Sequence, residues 1–453
     1  MTASMAEKAQ KYDLRVPRYT SYPTSPHFQD TDTDALYRDW LSRLDPQTGV
    51  SLYIHVPFCD SMCSFCGCYT KIVKRYDPVA QYLEYVHKEI DLLAAALPAR
   101  MTAKHVHWGG GSPTMLKADD WRSIIEKLKA VFDIDGDSEL AVEIDPRTAT
   151  EDYIKAMSEA GINRASIGVQ DFHEEVQVAI NRIQPYEMTK QVVDWLNAYG
   201  ITSINLDLLY GLPFQSMARV IDTAEKAITL NPKRLAVFGY AHVPWMKSHM
   251  KLIPEDSLPN AEERWAQMDA IADVLVQNGY VKVGLDHYAK PDDSMTIAMN
   301  EKRLHRNFQG YTIDSNPVML PVGASSIGQT GFGYMANVQP LHDYKRMIDA
   351  GQLPIGRTRP ISTEDALRRD VISQIMCVME VNLPQTAERY GMAADFFSAE
   401  MEKLAPMVDD GICYLDDTGL LTLPEEGRPL MRLIAATFDT YLQQGQKKHS
   451  RAV

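Results

Sequence analysis

Six short apolar runs alternate with segments of helical period between residues 51 and 240, and this alternation constrains the fold more than any other feature of the chain. The runs are "SLYIHV" (51–56), "KHVHW" (104–108), "ELAVEI" (139–144), "RASIGV" (164–169), "SINLDL" (203–208) and "RLAVFGY" (234–240), and each reads as a strand. The first gap holds "DPVAQYLEYVHKEIDLLAAAL", where Val79, Leu83, Val86, Ile90, Leu93 and Leu97 share one helical face. Asp77 is placed to cap this helix and Pro78 to occupy its first position. "DDWRSIIEKLKAVF", "TEDYIKAMSEAG", "YEMTKQVVDWLNAYG" and "ARVIDTAEKAITL" fill the later gaps as helices. Alternating strands and helices imply a parallel sheet. The expected fold is α/β, a partial (open) TIM-like barrel, with "VKVGLDHYA" (281–289) as a further strand.

In such barrels the reacting groups sit at the C-terminal ends of the strands. Here a cysteine loop follows the first strand, and Gly109, Gly110 and Gly111 follow the second. Glu143 and Asp145 end the third, Gln170 and Asp171 the fourth, Asp207 the fifth, and Tyr240 and His242 the sixth. One strand-end carboxylate is more often a helix cap or a solvated group. Six such ends on one face are not so easily explained. "HWGGGSPT" (107–114) brings bare backbone to that face, but it is neither a dinucleotide fingerprint nor a P-loop.

The chain has six cysteines, and "FCDSMCSFCGC" (58–68) holds four of them: Cys59, Cys63, Cys66 and Cys68. Six in 453 residues is not a disulfide framework. Close thiolates on one loop suit zinc or an iron–sulfur cluster. Structural zinc usually joins two separated ligand pairs, and Cys377 and Cys413 are distant single residues. The spacing C-x3-C-x2-C gives three thiolates to a four-iron cluster and leaves one iron open. The N-terminus has no apolar signal segment, and no run approaches a membrane span, so a cytoplasmic protein without a membrane partner is expected. The net charge of −14 argues against broad nucleic-acid binding. An acidic ligand would therefore need a local basic pocket.

The three-cysteine spacing resembles the signature of the radical S-adenosylmethionine (SAM) superfamily. "PRYTSYPT" (17–24), "SLYIHVPFCDSMCSFCGC" (51–68), "HWGGGSPT" (107–114), "VEIDPR" (142–147), "SIGVQDF" (166–172), "NLDLLYGLP" (205–213), "HRNFQGYT" (305–312) and "GASSIG" (323–328) occur in order. From about residue 12 onward the chain closely resembles the oxygen-independent coproporphyrinogen III oxidases. The resemblance implies a [4Fe-4S] cluster on Cys59, Cys63 and Cys66, with Cys68 needed for catalysis but not a ligand. It places Tyr53 and Phe65 near SAM, and the methionine part of SAM on Gly110, Gly111 and Ser112. Glu143, Ala241 and Ile327 would contact bound SAM, and Gln170, Arg182 and Asp207 would serve a second SAM or the ribose. The family more often has threonine at the position of Ser112, and both residues offer a hydroxyl.

The implied reaction is two oxidative decarboxylations that turn two propionates of coproporphyrinogen III into vinyl groups, by way of a SAM-derived 5′-deoxyadenosyl radical. The cluster's reductant and the electron acceptor stay unidentified, and the family implies a monomer. A tetracarboxylate substrate needs cations, and Arg18 and Arg306 are the candidate clamps. Each is as readily a structural arginine, and Tyr19, Tyr22 and Tyr311 are as readily packing as walls for a macrocycle.

Residues 1–45 read as an arm or lid, 46–355 as the barrel with its extension, and 356–453 as a smaller, mainly helical domain of winged-helix type. In the last part Ser362–Asp365 forms a capping-box start, and a hairpin turns near Asp417–Thr418–Gly419. Cys377 reads as core, and the tail "QQGQKKHSRAV" (443–453) reads as polar and mobile. Two other readings compete. A haem chaperone shares the barrel and the three cysteines, but its kind typically lacks Cys68 and the "PRYTSYPT" arm. A zinc-stabilised structural protein leaves the strand-end residues unexplained.

Overall fold

The computed structural model of the protein describes residues 7–8, 11–12, 16–31 and 33–442. The tail "QQGQKKHSRAV" and parts of the expected arm lie outside the described residues. Strands β1 (Val50–Val56), β2 (Ala103–Gly110), β3 (Glu139–Ile144), β4 (Arg164–Gln170), β5 (Ser203–Tyr210) and β6 (Arg234–Gly239) lie side by side in chain order. Each pairs with the next in parallel, as the alternation requires.

The expected strand over 281–289 is two strands. β7 (Val281–Val283) and β8 (His287–Ala289) form an antiparallel hairpin, and β8 runs antiparallel to β6. A turn this tight cannot supply the long crossover that a parallel strand needs. On the opposite flank β9 (Val318–Val322) is a seventh parallel strand, paired with β1. β10 (Ile327–Thr330), β11 (Gly333–Asn337) and β12 (Ile355–Pro360) extend the sheet antiparallel from there. The twelve strands run β12-β11-β10-β9-β1-β2-β3-β4-β5-β6-β8-β7, so the barrel is open.

Period-two patterning sorts β1 into two faces. Leu52, Ile54 and Val56 enter the main apolar core. The helix Asp77–Ala96 buries Val79, Leu83, Val86, Ile90 and Leu93 in the same core. Asp77 is its first residue rather than its cap, and Tyr76 takes the N-cap position. Glu89 lies on the buried face and accepts hydrogen bonds from the Gly323 N–H at 2.6 Å, the Asn337 amide at 2.6 Å and the Tyr344 hydroxyl at 2.5 Å. Those bonds fasten the helix to the β9–β11 flank. The inward face of the sheet is polar. Ser51, His105, Glu143, Ser166 and Asp207 line an interior cavity of about 260 Å³.

The C-terminal helix Thr363–Val378 begins with both halves of the expected capping box, Ser362 and Asp365. Tyr414–Leu415 and Leu420–Thr422 form the expected hairpin, and Glu380–Asn382 adds a third strand. The boundary expected at residue 356 falls inside β12, which belongs to the main sheet. A second apolar cluster joins Val16, Tyr19 and Tyr22 of the arm to Leu367, Ile375 and Ile434 of the C-terminal region and to Val283 and Ala289 of the β7–β8 hairpin. The described parts of the arm and of the C-terminal region thus pack together against the β7–β8 flank of the barrel.

Candidate active site

The cysteine loop leaves β1 and circles round on itself. Phe58–Cys59 pairs in parallel with Lys71–Ile72, which closes the four cysteines into one bend. Cys63 is buried, Cys59 and Cys66 are half-buried, and Cys68 is exposed. Each of the first three sulfurs meets a donor. Thr70 Oγ1 lies 3.2 Å from Cys59 Sγ, Arg147 donates to Cys63 Sγ at 3.3 Å, and the Cys68 N–H donates to Cys66 Sγ at 3.4 Å. Hydrogen bonding from Cys68 pushes the Cys66 thiol down against the effect of burial, while burial pushes Cys59 up to about 11.

Three soft donors on one bend, with N–H and O–H groups on their sulfurs, fit an iron–sulfur cluster. Among the described residues no three His, Cys, Asp or Glu side chains converge closely enough to hold a single metal ion. A cubane does not need such convergence, because each thiolate meets a different iron.

Behind the bend two arginines share one carboxylate. Asp145 pairs with Arg147 at 2.6 Å and with Arg182 at 3.3 Å, and the two guanidinium charges hold its carboxyl below the ordinary value despite burial. Arg182 also donates to the Gly168 carbonyl at 2.6 Å and reaches Cys63 Sγ at 3.6 Å, while its buried Nε has no partner. Gln170 ends β4 with φ 71°, a left-handed backbone that costs a non-glycine residue about 1–3 kcal/mol.

The glycine turn faces the next strand end. Gly110 has φ 115°, and its N–H donates to Glu143 Oε2 at 3.1 Å. A Cβ there would lie 2.4 Å from the His55 ring, so only glycine fits. His107 Nε2 is 3.3 Å from Glu143 Oε1, and Tyr53 stacks on His107 with ring centroids 5.8 Å apart. Burial alone would raise the Glu143 carboxyl, but His107 and then the Gly110 N–H outweigh it and hold it low. Asp207, deeper in the barrel, accepts from Asn205 at 2.7 Å and Ser166 at 3.2 Å, and burial followed by the Glu143 charge pushes it up to about 6. The hydroxyls of Ser112 and Thr114 are hydrogen-bonded to each other beside the glycines.

Beyond the end of β6 lies a cavity of about 360 Å³, lined by Arg18, Ala241, Arg264, Lys282, Arg306 and Arg432 among others. Arg18 and Arg306, expected as clamps, therefore share one chamber. Arg18 donates to the Gly239 carbonyl at 3.3 Å. Arg306 lies over the Tyr311 ring at 4.4 Å, and its buried Nε and Nη1 have no protein partner. Arg432, missed in the sequence, donates its Nε to the Pro17 carbonyl at 3.0 Å and so ties the last helix to the arm. Burial, then the charges of Arg18 and Arg306, lower Arg432 to about 10. Arg147 was also missed as a functional group. Its place in "VEIDPR" shows nothing of the sulfur it reaches.

Phe65 lies in the cysteine bend between Cys63 and Cys66 and packs on the small apolar cluster of Val176, Ile180, Tyr240 and Met250, and Ile327, the first residue of β10, packs with Phe28 and Tyr334 on the antiparallel flank. Tyr19, Tyr22 and Tyr311 are packing residues within the second cluster, and their hydroxyls are bonded to Asp439, Thr440 and the Met376 carbonyl.

Comparison with known proteins places these groups in a family. Residues 53–227 match the radical SAM superfamily. The oxygen-independent coproporphyrinogen III oxidase of Bradyrhizobium diazoefficiens is 44% identical over 99% of this chain and 100% of its own length. That of Cereibacter sphaeroides is 42% identical over 95% of both chains. The solved structure of coproporphyrinogen III oxidase from Escherichia coli is 33% identical and superposes with a TM-score of 0.90 over 95% of this chain and 100% of that one. With such agreement along nearly the whole length, the chain belongs to the oxygen-independent coproporphyrinogen III oxidase family of the radical SAM superfamily.

Proposed function

We propose that this protein carries out the oxygen-independent oxidation of coproporphyrinogen III to protoporphyrinogen IX, in which two propionates lose CO2 and become vinyl groups. The observation that carries this reading is the cation-lined chamber beside the strand ends, in a chain of net charge −14 whose relatives are named for acting on a tetracarboxylate. Cys59, Cys63 and Cys66 hold the [4Fe-4S] cluster, and Cys68 beside them acts in catalysis. Gly110, Gly111 and Ser112 seat the methionine part of SAM, with Tyr53, Phe65, Glu143, Ala241 and Ile327 around it. Gln170, Arg182 and Asp207 serve the ribose or a second SAM. When bound, cluster and SAM together supply the one-electron reductant and the power to abstract a hydrogen atom. The chain's own residues position and enclose. Gly110 lets backbone approach closely, Glu143 is fixed by His107, and Arg147 and Arg182 neutralise Asp145 behind the thiolates.

Arg18 and Arg306 clamp substrate carboxylates. The described parts of the arm (1–45) and of the C-terminal region (356–453, after β12) cover the barrel of residues 46–355. Among the described residues no helix is long and apolar enough to cross a membrane. We place the protein in the cytoplasm as a monomer, with neither nucleic acid nor membrane as partner. The haem-chaperone reading is not favoured, because both Cys68 and the "PRYTSYPT" arm are present. The test is anaerobic cluster reconstitution, addition of SAM, reductant and coproporphyrinogen III, and chromatography of the oxidised porphyrins. Protoporphyrin that forms only with SAM is the expected result. Haem binding with no vinyl product would overturn the reading.

A further inference from the structure

A second cavity, of about 310 Å³, adjoins the chamber beyond β6 at Arg306, the only described residue that lines both. Its walls come from the arm at Tyr22, from β10 and β11 at Gln329 and Tyr334, and from the C-terminal helix Thr363–Val378 at Arg369 and Ser373. None of its described lining belongs to β1 to β6, whereas the chamber takes in Gly239 and Ala241 around the end of β6. Both carboxylates in the wall of the second cavity are already engaged. Asp314 accepts from the Ser51 hydroxyl and from the Asn316 amide at 2.8 Å, and Asp370 pairs with Arg389 at 3.3 Å and accepts from Gln374 at 3.0 Å. The two arginines are not engaged in this way. Arg306 leaves its buried Nε and Nη1 without a protein partner. Arg369 forms no ion pair among the described residues; it meets the Tyr334 phenol and is attracted to Asp370 only through space. Arg368, its neighbour in the helix, is paired with Glu364 at 2.8 Å and with Glu400 at 3.0 Å.

Two arginines without an ion pair, lining a cavity whose own carboxylates are engaged, make a site for an anion that accepts hydrogen bonds. Coproporphyrinogen III carries one propionate on each of its four pyrrole rings. A ring that turns its propionate toward the strand ends therefore points the others away from them. We propose that the second cavity is a carboxylate subsite for a propionate that is not being oxidised, with Arg369 as its cation and Arg306 as the bridge between the two halves of the pocket. A carboxylate seated there lies away from the strand ends, so it is held while another propionate reacts. The inference rests on the function proposed above.

The test is fluorescence titration of the reconstituted holoenzyme with coproporphyrin III, for the unaltered protein and for Arg369→Gln, Arg369→Lys and Ser373→Glu. Ser373 lies one turn along the helix from Arg369 and lines the same cavity, so its replacement sets a carboxylate beside Arg369 without removing the cation. SAM affinity by equilibrium dialysis and iron content are measured on the same preparations. Arg369→Gln and Ser373→Glu are each expected to weaken porphyrin binding about tenfold or more while SAM affinity and iron content hold. Arg369→Lys, which keeps the charge and loses the fork, should fall between the unaltered protein and Arg369→Gln. If Arg369→Gln does not fold, Ser373→Glu decides alone. Unchanged porphyrin affinity in either of these two variants would overturn the proposal. So would porphyrin and SAM affinity lost together in all three variants, which marks a structural role, or no porphyrin binding by the unaltered enzyme. An unaltered enzyme that binds the porphyrin but forms no protoporphyrin with SAM and reductant would instead refute the function proposed above, and the binding comparison would still decide the subsite.

Discussion

Replacing Arg306 by glutamine should separate function from stability, because the guanidinium is buried without protein partners for Nε and Nη1. If those groups await a substrate carboxylate, losing them removes a charge-assisted pair worth about 1.5–3 kcal/mol, or roughly ten- to a hundredfold in affinity. The folded protein should hardly notice. Breaking a paired buried charge costs about 3–5 kcal/mol because its partner is stranded, whereas Arg306 gives up its contact over Tyr311, worth about 1 kcal/mol, and a through-space attraction to Asp286, which keeps His287 as its direct partner. Arg234, a buried and paired arginine, gives the contrast. It pairs with Asp293 at 2.7 Å, and the two side chains are 8% and 6% exposed. Arg234→Gln should therefore lose most of that 3–5 kcal/mol. The assay is fluorescence titration with coproporphyrin III, alongside denaturant unfolding of both variants. Unchanged porphyrin affinity in Arg306→Gln, or a stability loss equal to that of Arg234→Gln, would refute the reasoning.

Three further outcomes can be checked. Glu139 is held at about 2, because His105 and Arg164 outweigh its burial, so its stabilisation is full above its ordinary 4.5 and is lost as pH falls toward 2. Glu139→Gln should be less stable by up to about 3 kcal/mol at pH 7 in chemical unfolding, and the gap should narrow between pH 5 and pH 3. Cys68→Ser should keep the iron content and visible absorption of the reconstituted protein while losing vinyl product, and loss of iron would make Cys68 a ligand instead. Gly110→Ala forces a Cβ to 2.4 Å from His55 at φ 115°, so SAM binding measured by equilibrium dialysis should fail while circular dichroism stays unchanged.

The sequence spoke most clearly where one element carried its own signal. The six strands β1 to β6 were legible because each carries three or more buried residues and is followed, directly or after a loop, by a helix of ten or more residues. β10 and β11 were not, since "IGQT" and "GYMAN" are short, glycine-bearing and stabilised by pairing with each other. The β7–β8 hairpin read as one strand because its turn, around Gly284 with φ 57°, interrupts no apolar run. Within the site the cysteines and glycines announced themselves by spacing. Arg432 could not, because what makes it functional is the nearness of Arg18 and Arg306, and no local pattern encodes nearness across the chain.

The tie between Arg432 and Pro17 joins residues 415 positions apart. Arg18 stands next to one partner of that bond, and Arg432 is the other. During synthesis the arm emerges long before Arg432 and must wait for the whole intervening barrel before its counterpart leaves the ribosome. The chamber's cationic wall is therefore among the last features to form. A nascent chain that already carries the thiolates of the cysteine bend still lacks the assembled cationic wall of the chamber, so the order of synthesis separates these two parts of the site until residue 432 has been made.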